Sequence, residues 1–182
     1  MVNRRAEVFT RMSTLKEEAS ILTEVFVDKE AVEQASMGQI DPSTLTPSQF
    51  AVEKLIKEQN FNWKGIQAEF SLDDSALEAY YANAKFRSDC GDYASAAASL
   101  KTYCDITQTP GVPGSGPNGM GALWGRLACE ILGGNWDGAL TLLRELKGCI
   151  EFANAAPLEQ LQQRSWLLHW SLFVFFNHAN GR

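Results

Sequence analysis

Apolar residues return every three or four positions along most of the chain, the period of one face of a helix. No stretch sustains the two-residue alternation of a half-buried strand. In residues 4–30, Val8, Met12, Leu15, Ala19, Leu22 and Phe26 follow steps of 4, 3, 4, 3 and 4 and form one seam. Ile21 and Val25 widen the stripe, and Glu7 with Arg11 makes an i,i+4 pair on its flank. The run is too short for a sustained coiled coil, so one long helix packed on its neighbours is expected.

Residues 35–46 read as a loop, with Gly38, Pro42 and scattered Ser and Thr. Thr46-Pro47-Ser48-Gln49 then announces a helix: a threonine cap, proline in the first helical position, and glutamine placed to close a capping box. That helix spans 47–60, with Val52, Leu55 and Ile56 facing inward. The stretch from Asn60 to Gly65 breaks it, and a short helix with Ile66 and Phe70 covers 62–70. Together these form an N-terminal region, residues 1–70.

A different pattern governs 71–182. Ser75 and Glu78 stand at capping-box spacing, and a helix from there to about Cys90 stops at Gly91; a second helix starts at Tyr93. The same order recurs around Gly134 and Trp136. Shifting the chain by 43 residues lays Gly91 on Gly134, Tyr93 on Trp136, Ala96 on Ala139 and Leu100 on Leu143. A glycine there can take the left-handed turn, an aromatic covers the hinge, and a small alanine lets two helices close in. Two copies at one spacing predict an all-α array of antiparallel helix pairs, a tetratricopeptide-like right-handed solenoid. Its units are 73–106, 121–150 and 157–182.

The third unit starts at Pro157. Leu158, Leu161, Trp166, Leu167 and Trp170 lead into Phe173, Val174, Phe175 and Phe176, apolar nearly all round, so cover is needed on several sides. The chain stops at Asn180-Gly181-Arg182, where the next turn is due, and reads as cut in mid-repeat. Trp166, Trp170, Phe173 and Phe176 are therefore expected to stay partly exposed and to meet a partner or a following repeat.

Composition narrows the functional classes. A net charge of −6 and a pI near 5.0 disfavour direct binding to nucleic acid or an anionic membrane. The apolar run from Trp166 to Phe176 is shorter than the roughly 20 residues of a membrane span. No secretory signal is seen, and Cys90, Cys104, Cys129 and Cys149 form no CxxC pair, which suits buried thiols in a reducing compartment. His169 and His178 have no metal spacing to those cysteines, so no metal is expected.

Candidate chemistry is sparse. Gly114-Ser115-Gly116-Pro117-Asn118-Gly119 matches GxGxxG, but a helix precedes it and Pro117 removes an amide donor. It lacks the strand–turn–helix setting of a dinucleotide site, and a flexible loop between repeats is the expectation. Asp73 and Asp74 serve a helix start, and His169 reads as a hydrogen-bonded core histidine. No nucleophile motif, zinc helix or phosphate loop occurs. No enzyme and no cofactor are expected.

The stretches Tyr81-Ala82-Asn83-Ala84-Lys85-Phe86, Cys90-Gly91-Asp92-Tyr93, Leu123-Trp124-Gly125-Arg126-Leu127-Ala128 and Asn135-Trp136-Asp137 resemble one family. So does Leu161-Gln162-Gln163-Arg164-Ser165-Trp166-Leu167-Leu168-His169-Trp170-Ser171-Leu172-Phe173-Val174-Phe175-Phe176-Asn177-His178. The family is the e subunit of eukaryotic translation initiation factor 3, of the PCI type. The likeness is dense from about Leu77 to Arg182 and thinner from Arg4 to Phe70. It implies a scaffold role in a cytoplasmic factor with room for a nuclear pool. Subunits such as c, d and l would be its direct partners, and the small ribosomal subunit would be met indirectly. The family's winged helix is missing, and the loop from Thr107 to Gly121 is longer and richer in glycine than the family pattern. A generic adaptor holding peptides in a repeat groove, or a PCI-type subunit of another complex such as the proteasome lid or signalosome, stays open as the alternative.

Overall fold

A computed structural model describes residues 2–36, 46–109, 111–112, 114–153 and 155–179, with the side chains of 2–6 and 34–36 left aside. Among the described residues every element is a helix, and the only strand-like feature is an isolated bridge between Thr109 and Val112. The chain divides into two compact units, Met1–Asn83 and Ala84–Arg182. The sequence places that boundary at residues 70 and 71. The observed division lies further on, inside a helix.

In the first unit, α1 (Val2–Glu18) and α2 (Ser20–Ser36) replace the single helix expected over 4–30. The break is one residue, Ala19, and the ladder survives it: the Ala19 amide donates to the Leu15 carbonyl at 3.1 Å and the Thr23 amide to Ala19 at 3.0 Å. Ser20 Oγ donates to the Glu17 carbonyl and Thr23 Oγ1 to that of Ala19. Hydroxyls that bond back onto the preceding turn bend helices, which accounts for the interruption. The seam is also only half buried. Ala19, Leu22, Val25 and Phe26 are inside, where α2 packs on α3 (Pro47–Lys57), whereas Val8 and Ile21 are exposed.

α3 begins as its sequence announces. Gln49 N–H donates to Thr46 Oγ1, Thr46 N–H donates to Gln49 Oε1 at 2.9 Å, and Pro47 occupies the first turn. α3 ends at Lys57, short of the expected residue 60, and the short helix expected over 62–70 is α4 (Trp63–Phe70), capped by Asn62. Gly65 is buried with the Asn60 carbonyl where its side chain would be, so any Cβ would collide with it. The following helix, α5 (Asp74–Asp89), starts one residue before Ser75, so the Ser75/Glu78 box does not cap it. Asp74 accepts from Trp63 Nε1 at 2.9 Å and Phe26 meets Tyr80 at 5.2 Å, which holds the first half of α5 in this unit.

The second unit holds the rest of α5 and four further helices: α6 (Tyr93–Thr107), α7 (Gly119–Leu132), α8 (Trp136–Phe152) and α9 (Pro157–Asn177). From α6 onward each packs on the next. The 43-residue shift is visible in the backbone. Gly91 has φ 88° and Gly134 φ 74°. Asp92 N–H donates to Arg87 O at 3.0 Å, and Asn135 N–H to Glu130 O at 2.9 Å. Gly91 N–H donates to Ser88 O and Gly134 N–H to Ile131 O, completing the same Schellman motif twice. Asp92 and Asn135 then cap the following helices by accepting from Ser95 and Gly138. Tyr93 and Trp136 are half-buried at these starts, and Ala96 and Ala139 are fully enclosed.

Among the described residues the broadest helix contact, however, is α6 on α7, across the Gly/Pro loop. Gly125 accounts for the close approach: a Cβ there would sit 3.3 Å from Leu100 Cδ1. The described residues of the loop, expected to be flexible, are held by specific hydrogen bonds. The buried Tyr103 hydroxyl donates to the Pro117 carbonyl and Thr109 N–H donates to Ser115 Oγ at 2.8 Å. Gly119 lies against the Gly114 backbone, and Gly116 against Thr107, too closely for any side chain.

Candidate protein–protein interface

α9 runs 21 residues with proline in its first turn and no side-chain cap. Its inner edge is fixed by specific bonds. Gln160 Nε2 donates to the Ile150 carbonyl at 2.9 Å, and Trp124 Nε1 on α7 donates to Gln163 Oε1 at 2.8 Å. At the far end His178, buried, meets Asp137 Oδ1 at 2.9 Å. Between these anchors Ser171 and Val174 are buried, and Leu167 and Trp170 are half-buried. Every other large apolar side chain of the helix is exposed.

One flank gathers the aromatics. Trp166 meets Trp124 edge-on with centroids 6.2 Å apart, and Trp170 lies 5.8 Å from Phe173. Met120, Gly121, Trp124, Gln163, Trp166 and Trp170 line a hollow of about 600 Å³ there. Trp166 is 47% exposed, Phe173 50% and Phe176, on the outer face, 70%. Aromatic pairs of this kind bring large apolar area at small conformational cost, the combination that anchors protein interfaces.

The remaining candidates fall elsewhere. His169, expected in the core, lies exposed on the outer face of α9, and the buried histidine is His178. Nothing in the local pattern signals the His178–Asp137 bond, because its partners stand far apart in the chain. Gly114 and Ser115 face Cys149, Arg144 and Glu159 across a cleft of about 850 Å³. Burial pushes the Cys104 thiol up to about 11 and raises those of Cys129 and Cys149 as well, while Cys90 is exposed. Thiols so placed hold their protons at neutral pH. Among the described residues no three His, Cys, Asp or Glu side chains gather where a metal could bind, and no helix is long and apolar enough to cross a membrane. The turn expected at Asn180-Gly181 lies outside the described residues.

Stacked helices joined by repeated glycine turns, with α9 carrying exposed aromatic side chains, define an all-α helical-repeat protein. No family model matches the chain. Individual relatives do. The E subunit of eukaryotic translation initiation factor 3 from Arabidopsis thaliana is 34% identical over 183 positions, covering 100% of this chain and 36% of that protein. The proteins of the same name from Bombyx mori and Drosophila ananassae are 42% and 40% identical over 118 and 117 positions. Those alignments cover 63% and 64% of this chain, and 25% and 26% of the relatives. The chain is homologous to part of the E subunits of eukaryotic translation initiation factor 3. It spans about a third or less of the relatives' own length.

Proposed function

We propose that the chain is a scaffold segment of a translation initiation factor complex, acting by protein–protein contact and not by catalysis. The observation that carries this reading is the aromatic surface of α9, where Trp166, Phe173 and Phe176 are exposed and Trp170 is half-buried beside them. A side chain of this size gains roughly 1.5–3 kcal/mol on full burial, so a cluster half in water favours association. The relatives' name supports initiation factor 3 as the assembly. Within it, subunits such as c, d and l are the direct partners of this proposal, and the small ribosomal subunit is reached through them. The acidic charge supports contact with protein and not with nucleic acid. The cytoplasm, where initiation takes place, is the compartment of this role.

Affinity purification of the tagged chain from eukaryotic cytosol, read by quantitative mass spectrometry, tests the reading. Initiation factor subunits at stoichiometric levels are expected. Recovery of unrelated peptides alone, through a groove-binding mode, would replace the scaffold by an adaptor.

A further inference from the structure

The opposite flank of α9 forms, with α8, an open groove of about 400 Å³. Leu140, Leu143, Ile150, Leu167, Leu168 and Phe175 line it with apolar surface. Its outer wall stands in water, Leu168 being 68% and Phe175 43% exposed. Ser171 and four charged residues, Arg144, Lys147, Glu151 and Arg164, complete the lining. Lys147 and Glu151 face each other at 3.9 Å and largely cancel. Arg144 on α8 and Arg164 on α9 have no ion-pair partner among the described residues. Two surplus cations thus line one trough of a chain whose net charge is −6.

We propose that this groove receives a helix of a partner protein that carries an apolar stripe and acidic side chains along its flanks. From Arg164 to Phe175 the wall runs about 16 Å at the helical rise, or three turns. A trough of that length, open along its side, suits apolar anchors at i, i+3, i+4 and i+7 better than it suits an enclosed small molecule. The arginines sit one on each wall, where a guanidinium can take a carboxylate in a two-point bond. A basic helix would bring like charge to both. The occupant is therefore selected by charge as well as by shape. This assignment goes beyond the scaffold reading and does not depend on which assembly the chain joins.

Two measurements test it. A fluorescent helical peptide of about five turns, with leucines on one stripe and glutamates beside them, is titrated into the chain and into its Arg144→Glu/Arg164→Glu variant. Saturable binding is expected, weakened at least about tenfold in the variant, whose melting temperature stays unchanged because both positions are exposed; a change of that size is about 1.4 kcal/mol. The same peptide with lysines for glutamates should show the reverse preference. Equal binding of both peptides, or of neither, overturns the proposal. A photo-crosslinking residue at Leu168, in the protein expressed in cells at its natural length, then identifies the source. A cross-linked peptide from a separate chain, with the leucine-type stripe and flanking acids, is expected. A cross-link within the same polypeptide, or to a basic segment, overturns it.

Discussion

The α7–α8 pair and α9 are made of similar residues and treated in opposite ways. Ala122, Leu123 and Leu127 on α7, with Ala139, Leu142, Leu146 and Ile150 on α8, are all at most 2% exposed. α9 is longer and as rich in large apolar side chains, yet only Ser171 and Val174 are buried on it. The difference is in cover. α7 lies between α6 and α8, and α8 between α7 and α9, whereas among the described residues α8 is the only helix in broad contact with α9. An apolar residue thus contributes to folding where neighbours enclose it, and on most of α9 it is left in water.

The largest effect that separates the two regions is a core truncation. Leu146→Ala, at 0% exposure, is expected to cost about 2–5 kcal/mol in a denaturant titration, and Leu168→Ala on α9 within about 0.5 kcal/mol. Similar losses at both would make α9 part of the same core.

A second contrast concerns the glycine-rich loop that joins α6 to α7. Gly119→Val drives a branched side chain into the Gly114 backbone and is expected to cost about 1–3 kcal/mol, read as a lowered melting temperature. A neutral result would free the loop from the α6–α7 packing.

Smaller still are the repeat turns. Gly91→Ala and Gly134→Ala meet nothing within 4 Å, so the cost is that of the left-handed backbone alone, about 1 kcal/mol each. Equal costs at the two sites would express the repeat in energy, and a difference of more than about 1 kcal/mol would set the two turns apart.

How much of this is readable in the sequence follows from how locally each feature is determined. The turns at Gly91 and Gly134 are legible because one residue type answers one backbone requirement, and the 43-residue spacing repeats it. The Thr46 box is legible for the same reason. The bend at Ala19 is not, since Ser20 and Thr23 can bond to solvent or to the preceding turn with equal chemistry. Ser75 loses its capping role because Asp74, held by Trp63 from α4, starts the helix earlier. On α9 the apolar residues go nearly all round, so periodicity names no inner face. For that reason the pattern points to His169 as the inward histidine, when His178 is the buried one. The loop's glycines read as freedom, when several of them mark close packing that only the fold reveals. The aromatic cluster is legible as residues, but its exposure depends on which helices stand beside it.

The most direct measurement pairs stability with association in one variant. Phe173→Asp/Phe176→Asp places two charges on the aromatic surface of α9, and the purified chain should still melt cooperatively, lowered by no more than about 5 °C for the lost contact between Phe173 and Trp170. The same variant should lose co-purifying initiation factor subunits from cytosol. A variant that stays folded and still recovers every subunit would contradict the central claim that the aromatic surface of α9 is where the chain meets its partners.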